Sequence, residues 1–73
     1  MTAPTPHQLA NAYDIAANWH DKQASSCDEI ANDEPRIAAE IRMRAAQAAT
    51  HHRASAAGLR LAASQLLRAA IGQ

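Results

Sequence analysis

Apolar residues recur along this chain at intervals of three, four and seven positions, the spacing of amphipathic helices. At about 100° per residue, one stripe of the first helix contains Leu9, Ala12, Ala16, Trp19, Cys27 and Ile30. Tyr13 and Ile15 lie on its two flanks. β-Branched residues are scarce and never alternate with polar ones, so no strand is predicted. The pattern predicts an all-α fold.

The first helix is predicted to cover about 6–31. Thr5 can act as its N-cap, Pro6 occupies the favoured first position, and Gln8 completes a Thr-x-x-Gln capping box. Ser25-Ser26 could kink this helix, but the apolar stripe continues beyond both serines. Residues 1–5 are predicted to be a flexible N-terminus, and residues 32–34 to form a turn in which Asp33 can cap the next helix.

The second helix is predicted over about 35–71 and carries a seven-residue repeat. One register contains Ile41, Ala48, Ser55, Ala62 and Ala69, and the other contains Ala45, His52, Leu59 and Leu66. Gly58 and the Thr50-His51-His52 segment weaken this helix. A break near His51, giving three helices, is therefore the structural alternative.

A short turn between two long helices predicts a single domain, 6–73, built as an antiparallel hairpin. Its core would be thin, since 20 of the 73 residues are Ala. Cys27 is the only cysteine, which excludes an internal disulfide. We therefore expect a homodimer, a four-helix bundle. The residues predicted to form the core or the dimer contact are Leu9, Tyr13, Ala16, Trp19, Ile30, Ile41, Ala48, Leu59, Ala62 and Leu66.

Charge divides the chain into two halves. The first 35 residues hold six carboxylates and Lys22, a formal charge of −5, whereas the remainder holds six arginines and Glu40, a formal charge of +5. Opposite charges on neighbouring helices attract each other. The split predicts that the acidic and basic helices pair in register.

Catalytic, metal and cofactor sites are not predicted. His51 and His52 are adjacent and point about 100° apart on a helix, and no His-x-x-x-His pair is present. His7, His20, Cys27 and His52 could converge only through folding. Cys27 has no basic neighbour in sequence and is followed by Asp28 and Glu29, which favours a small buried side chain over a nucleophile.

Arg42, Arg53 and Arg60 fall on one stripe of the second helix, directed away from the Ile41/Leu59/Leu66 side. We expect them, with His51, to be the partner-binding residues. The simpler interpretation is a solvated surface whose positive charge complements the acidic helix. The alternative function is a nucleic-acid-binding regulator. In architecture alone, the Ala/Leu heptads resemble those of the Rop-type RNA-binding hairpin dimers. No motif matches, so no functional residue is transferred.

The N-terminus lacks the basic start and apolar run of a secretory signal, and no apolar stretch approaches a membrane span. The sequence therefore predicts a cytoplasmic protein without membrane contact. Without catalytic groups, such a scaffold acts through its surfaces. We expect a small adaptor or inhibitor of a larger protein, and its composition would fit a phage or mobile-element protein.

Overall fold

Two helices pack against each other as an antiparallel hairpin in the computed structural model, which describes residues 2–33 and 36–72. Helix α1 spans Pro6–Ala31 and helix α2 spans Ala39–Ile71. The molecule measures 55 × 24 × 12 Å along its principal axes. No strand occurs in the described part of the chain, and the predicted all-α hairpin is confirmed.

The capping box predicted at the start of α1 is present. The Thr5 side chain accepts a hydrogen bond from the backbone N–H of Gln8, and the Gln8 side chain accepts one from the backbone N–H of Thr5. These two bonds satisfy N–H groups that a helix start leaves without partners. The helix is uninterrupted through Ser25-Ser26, where the Ser26 hydroxyl donates to the Lys22 carbonyl. At the other end, Asn32 closes the helix by donating to the Asp28 carbonyl.

Helix α2 begins at Ala39, later than the predicted start near 35. Asp33 does not cap this helix: its carboxylate instead accepts two hydrogen bonds from the Arg36 guanidinium. The Ile37 carbonyl accepts from Arg42 Nε, and Ala38 is an extended N-cap that makes no side-chain hydrogen bond. Side-chain contacts thus hold the chain in a non-helical turn over 36–38. The predicted helix start at Pro35 and turn residue Glu34 lie outside the described residues, as does Met1 of the predicted flexible N-terminus.

From Ala39, α2 continues through Thr50, His51 and Gly58 without a break. The Thr50 hydroxyl donates to the Ala46 carbonyl one turn earlier, so its polar group is satisfied without ending the helix. The three-helix alternative is wrong.

The centre of the contact between the helices consists of alanine. All seven buried residues among those described are alanines, spaced by seven residues or, between the first two of α2, by four: Ala10, Ala17 and Ala24 in α1, and Ala45, Ala49, Ala56 and Ala63 in α2. Methyl side chains allow two helix axes to approach closely, whereas larger side chains are displaced to the edges of the contact. We call this row the alanine seam.

The seam corrects one of the two predicted heptad registers. The predicted row through Ala48, Ser55 and Ala62 is displaced by one residue from the observed row through Ala49, Ala56 and Ala63. In the second predicted register, Ala45 is buried, while His52, Leu59 and Leu66 are half-buried along one edge of the seam. The sequence pattern placed large apolar side chains at the contact between the helices. Where the helices are closest, however, the buried side chains are alanines.

Candidate interaction surface

The alanine seam divides the hairpin into two broad faces. On each helix, about 100° per residue places polar side chains on one side of the seam and apolar ones on the other. Because the helices are antiparallel, the two polar sides lie on one face and the two apolar sides on the opposite face. We call these the polar face and the apolar face.

Two ion pairs cross the seam on the polar face. Arg53 pairs with Asp28, and Arg60 pairs with Asp21 while also donating to the Asn18 side chain over 3.1 Å. The aspartates are one heptad apart on α1, and the arginines are one heptad apart on α2. This regular spacing shows that the acidic and basic helices pair in register by charge, as predicted.

Both arginines shift the pKa of the carboxyl that they contact. Hydrogen bonding to Arg60 lowers the pKa of Asp21, and hydrogen bonding to Arg53 lowers that of Asp28. The same contacts raise the pKa of each arginine. These pairs are solvent-exposed, so they specify the pairing of the helices more than they stabilise the fold.

The apolar face carries large side chains that the hairpin does not bury. Ile30 and Ile41 are exposed here, and Leu9, Tyr13 and Leu66 are half-buried. No large side chain is fully buried anywhere in the described residues. Each large hydrophobic side chain among the described residues therefore keeps part of its area on the surface.

A cluster of three rings lies near the middle of the apolar face. Nδ1 of His20, on α1, is 2.9 Å from Nδ1 of His52, on α2, so one ring donates a hydrogen bond to the other. Trp19 packs edge-on against both, with ring centroids 5.0 Å from His20 and 5.9 Å from His52. The Trp19 side chain is 54% exposed. It lies over the histidine pair and outside the alanine seam.

A shallow depression of about 330 Å³ lies on the same face, toward the C-terminal end of α2. Tyr13 of α1 forms one wall, and residues of α2 form the other: Ala62, Gln65, Leu66 and Ala69. Its lining is mainly apolar, which suits the side chain of a docked helix.

No family matches. Likewise, neither the curated proteins nor the solved structures contain a chain with significant similarity to this one. Within the described ranges, neither helix has an apolar stretch long enough to cross a membrane.

The structure separates the four predicted partner-binding residues. Arg53 and Arg60 lie across the alanine seam from Leu59 and Leu66, and each pairs with an aspartate of α1. Arg42 is half-buried and donates to the Ile37 carbonyl. His51 is exposed, and about 200° of helix rotation separates it from Arg53. These residues do not share one face.

The predicted core residues gather on the apolar face rather than in the alanine seam. None of them is buried within the chain. Trp19, Ile30 and Ile41 are exposed, and the remaining predicted residues are half-buried: Leu9, Tyr13, Ala16, Ala48, Leu59, Ala62 and Leu66. Cys27 is also half-buried, not fully buried as expected. Their assignment to a dimer contact stays a prediction.

The sequence analysis missed the meeting of His20 and His52. The two residues are 32 positions apart and lie on different helices. Only the register of the helices brings them together. Their equivalent positions relative to the seam could have located them. His20 is three residues after Ala17, and His52 is three residues after Ala49.

Proposed function

We propose that this chain is a non-enzymatic interaction module in which two copies pair through the apolar face to form a four-helix bundle. The observation that carries this proposal is the contrast between a hairpin core made only of alanine and a face rich in larger apolar side chains. Burying an alanine methyl contributes roughly 0.8 kcal/mol, whereas fully burying a leucine contributes up to about 3 kcal/mol. The stabilisation that these larger side chains can still contribute therefore lies outside the single hairpin.

The size of the face supports a second copy as its occupant. A side of 55 × 24 Å exceeds the ~800 Å² that each partner contributes to a standard stable interface. Two hairpins of equal length can cover each other from end to end. The same surface on both subunits is the arrangement that a two-fold dimer requires.

The distribution of charge also favours a dimer in which the two apolar faces meet. Asp21, Asp28, Arg53 and Arg60 neutralise one another on the polar face, so burying that face would remove ion pairs from water. Neither of these two ion pairs lies on the apolar face, where the polar contact between the helices is the one from His20 to His52. The dimer would therefore expose both polar faces to solvent.

We further propose that the paired module acts as an adaptor or inhibitor of a larger protein. In the dimer, the two polar faces would be available to that target, and His51 would be accessible at the edge.

Nucleic-acid binding, the alternative function, has less support. Arg53 and Arg60 already pair with carboxylates, and phosphate binding would have to compete with those contacts. Binding to RNA or DNA that weakens steeply with salt and is lost in Arg42→Ala/Arg53→Ala/Arg60→Ala would favour this alternative. Absence of binding at low salt would remove it.

Sedimentation equilibrium of Trp19→Lys tests the docking face. Trp19 is exposed in the single hairpin, so the substitution removes little packing within the hairpin while placing a charge in the dimer contact. We expect the unmodified protein to be a dimer and Trp19→Lys to be a monomer with reduced helix content at the same concentration.

Leu61→Lys provides the matched control. Leu61 is 55% exposed, nearly the same as Trp19, but lies on the outer side of α2, away from the apolar face. It should remain dimeric. Equal dissociation of both variants, or of neither, would contradict pairing through the apolar face.

A further inference from the structure

We propose that His20 and His52 form a two-imidazole site for a divalent transition-metal ion of the class that prefers nitrogen ligands, such as Zn²⁺. Both ligands belong to one hairpin. The site therefore needs no residue of the second copy, and the proposed dimer would cover it, because the pair lies near the middle of the apolar face.

The geometry of the pair suits this role. The two Nδ1 atoms face each other across 2.9 Å, with ring centroids 5.1 Å apart. A hydrogen bond between two imidazole nitrogens needs one proton, donated by one ring to the lone pair of the other. For a metal ion to bind both Nδ1 lone pairs, the proton between them must move to Nε2 of the donor ring, so that both neutral imidazoles carry their proton on Nε2.

The distance between the nitrogens is close to what an ion requires. At a metal–nitrogen distance of ~2.0–2.1 Å, two ligands are roughly 2.9 Å apart at a right angle and roughly 3.4 Å apart in a tetrahedron. The rings would separate by at most about 0.5 Å and would also turn, so that the two Nδ1 lone pairs converge on the ion instead of lying along the line between the nitrogens.

The ligands available here favour a borderline metal ion, which binds nitrogen, over a hard metal ion, which binds oxygen. Across the described residues, no group of three His, Cys, Asp or Glu side chains is arranged to hold a metal. The pair therefore offers nitrogen ligands without a carboxylate cage, which suits Zn²⁺, Cu²⁺ or Ni²⁺ and not Mg²⁺ or Ca²⁺. Because both histidines are only half-buried, exogenous ligands can complete the coordination.

An ion bound here would link α1 to α2 across the alanine seam. Binding to the folded pair stabilises the fold by mass action, since the unfolded chain does not hold the two rings together. The site would thus make the stability of the hairpin depend on the metal concentration.

Isothermal titration and thermal unfolding with Zn²⁺ test the site, with Mg²⁺ as the ion control. We expect one Zn²⁺ per chain and a higher unfolding midpoint with Zn²⁺ but not with Mg²⁺. His20→Gln and His52→Gln should each weaken Zn²⁺ binding at least about tenfold, the lower limit for losing even an outer-shell partner.

His51→Gln is the matched control because His51 is adjacent to His52 but points about 100° away. It should bind Zn²⁺ like the unmodified protein. Unchanged binding in His20→Gln or His52→Gln, or equal loss in His51→Gln, would overturn the proposal.

Nuclear magnetic resonance of the unmodified protein gives a test that does not depend on the folding of variants. Zn²⁺ should shift the imidazole resonances of His20 and His52 and leave those of His7 and His51 in place. Shifts confined to His7 or His51, or no shift at all, would assign any bound metal to another location or exclude it.

Discussion

Single residues decide how closely the two helices approach. Ala56 is 1% exposed in the alanine seam, whereas Ala54 on the same helix is exposed. Ala56→Leu should destabilise the fold by about 1–3 kcal/mol, because a larger side chain must separate the helices. Ala54→Leu should change stability little. Urea unfolding measures both, and equal effects would contradict the position of the seam.

Gly58 is the other residue whose substitution gives a clear expectation. It lies inside α2, and a Cβ added there would meet nothing within 4 Å. Gly58→Ala should therefore stabilise the protein by about 1 kcal/mol, through helix propensity and reduced freedom of the unfolded chain.

Ala57→Gly, at the neighbouring exposed position, is the reverse control and should destabilise by a similar amount. Both changes are measurable as shifts in the thermal unfolding midpoint. A loss of stability in Gly58→Ala would mean that the backbone at this point needs a conformation that only glycine favours.

Across the two helices, the ion pairs on the polar face make stability depend on pH. The pKa values of Asp21 and Asp28 are lowered from 3.8 in the folded state. The two carboxylates therefore stabilise the fold above that value, and this contribution is lost as the pH falls from 3.8 through the lower folded pKa values.

Arg53→Gln/Arg60→Gln should remove this acid-dependent loss of stability, because the pKa-lowering contacts disappear. Lys22→Gln changes the charge without touching either ion pair and should keep it. Unfolding midpoints compared between neutral and acidic pH at low salt provide the measurement. An unchanged acid dependence in the double variant would contradict the observed pairing.

The elements also show what the sequence could predict. Thr5, Pro6 and Gln8 define the start of α1 through local chemistry, and the structure retains it. The predicted start of α2 was wrong. Contacts of Asp33 with Arg36 and of Ile37 with Arg42 hold the preceding residues in a turn instead of a helix. Such contacts depend on how a turn folds, which periodicity does not encode.

The register of the seam was harder to predict for a compositional reason. With 20 alanines, several stripes of α2 are equally small, so Ala48 and Ala49 cannot be distinguished by periodicity. The contact of His20 with His52 depends on that register and could therefore not be predicted from the sequence. Pairing of the two helices by charge was accessible because unlike charges are separated along the chain.

At the scale of the whole molecule, the hairpin is one-sided. Ion pairs join the two helices across its polar face, its seam consists of alanine, and its larger apolar side chains remain partly or fully on the surface. A chain of this size buries a limited share of its surface on folding alone. The proposed second copy would convert the apolar face into the core of a four-helix bundle.

The most direct test of that dimer is the concentration dependence of thermal unfolding. Folding coupled to dimerisation raises the unfolding midpoint as the protein concentration rises. We predict a steady rise over roughly a hundredfold range of concentration, with helix loss on dilution below the dissociation constant. A well-folded monomer at low micromolar concentration, with a midpoint independent of concentration, would contradict the account.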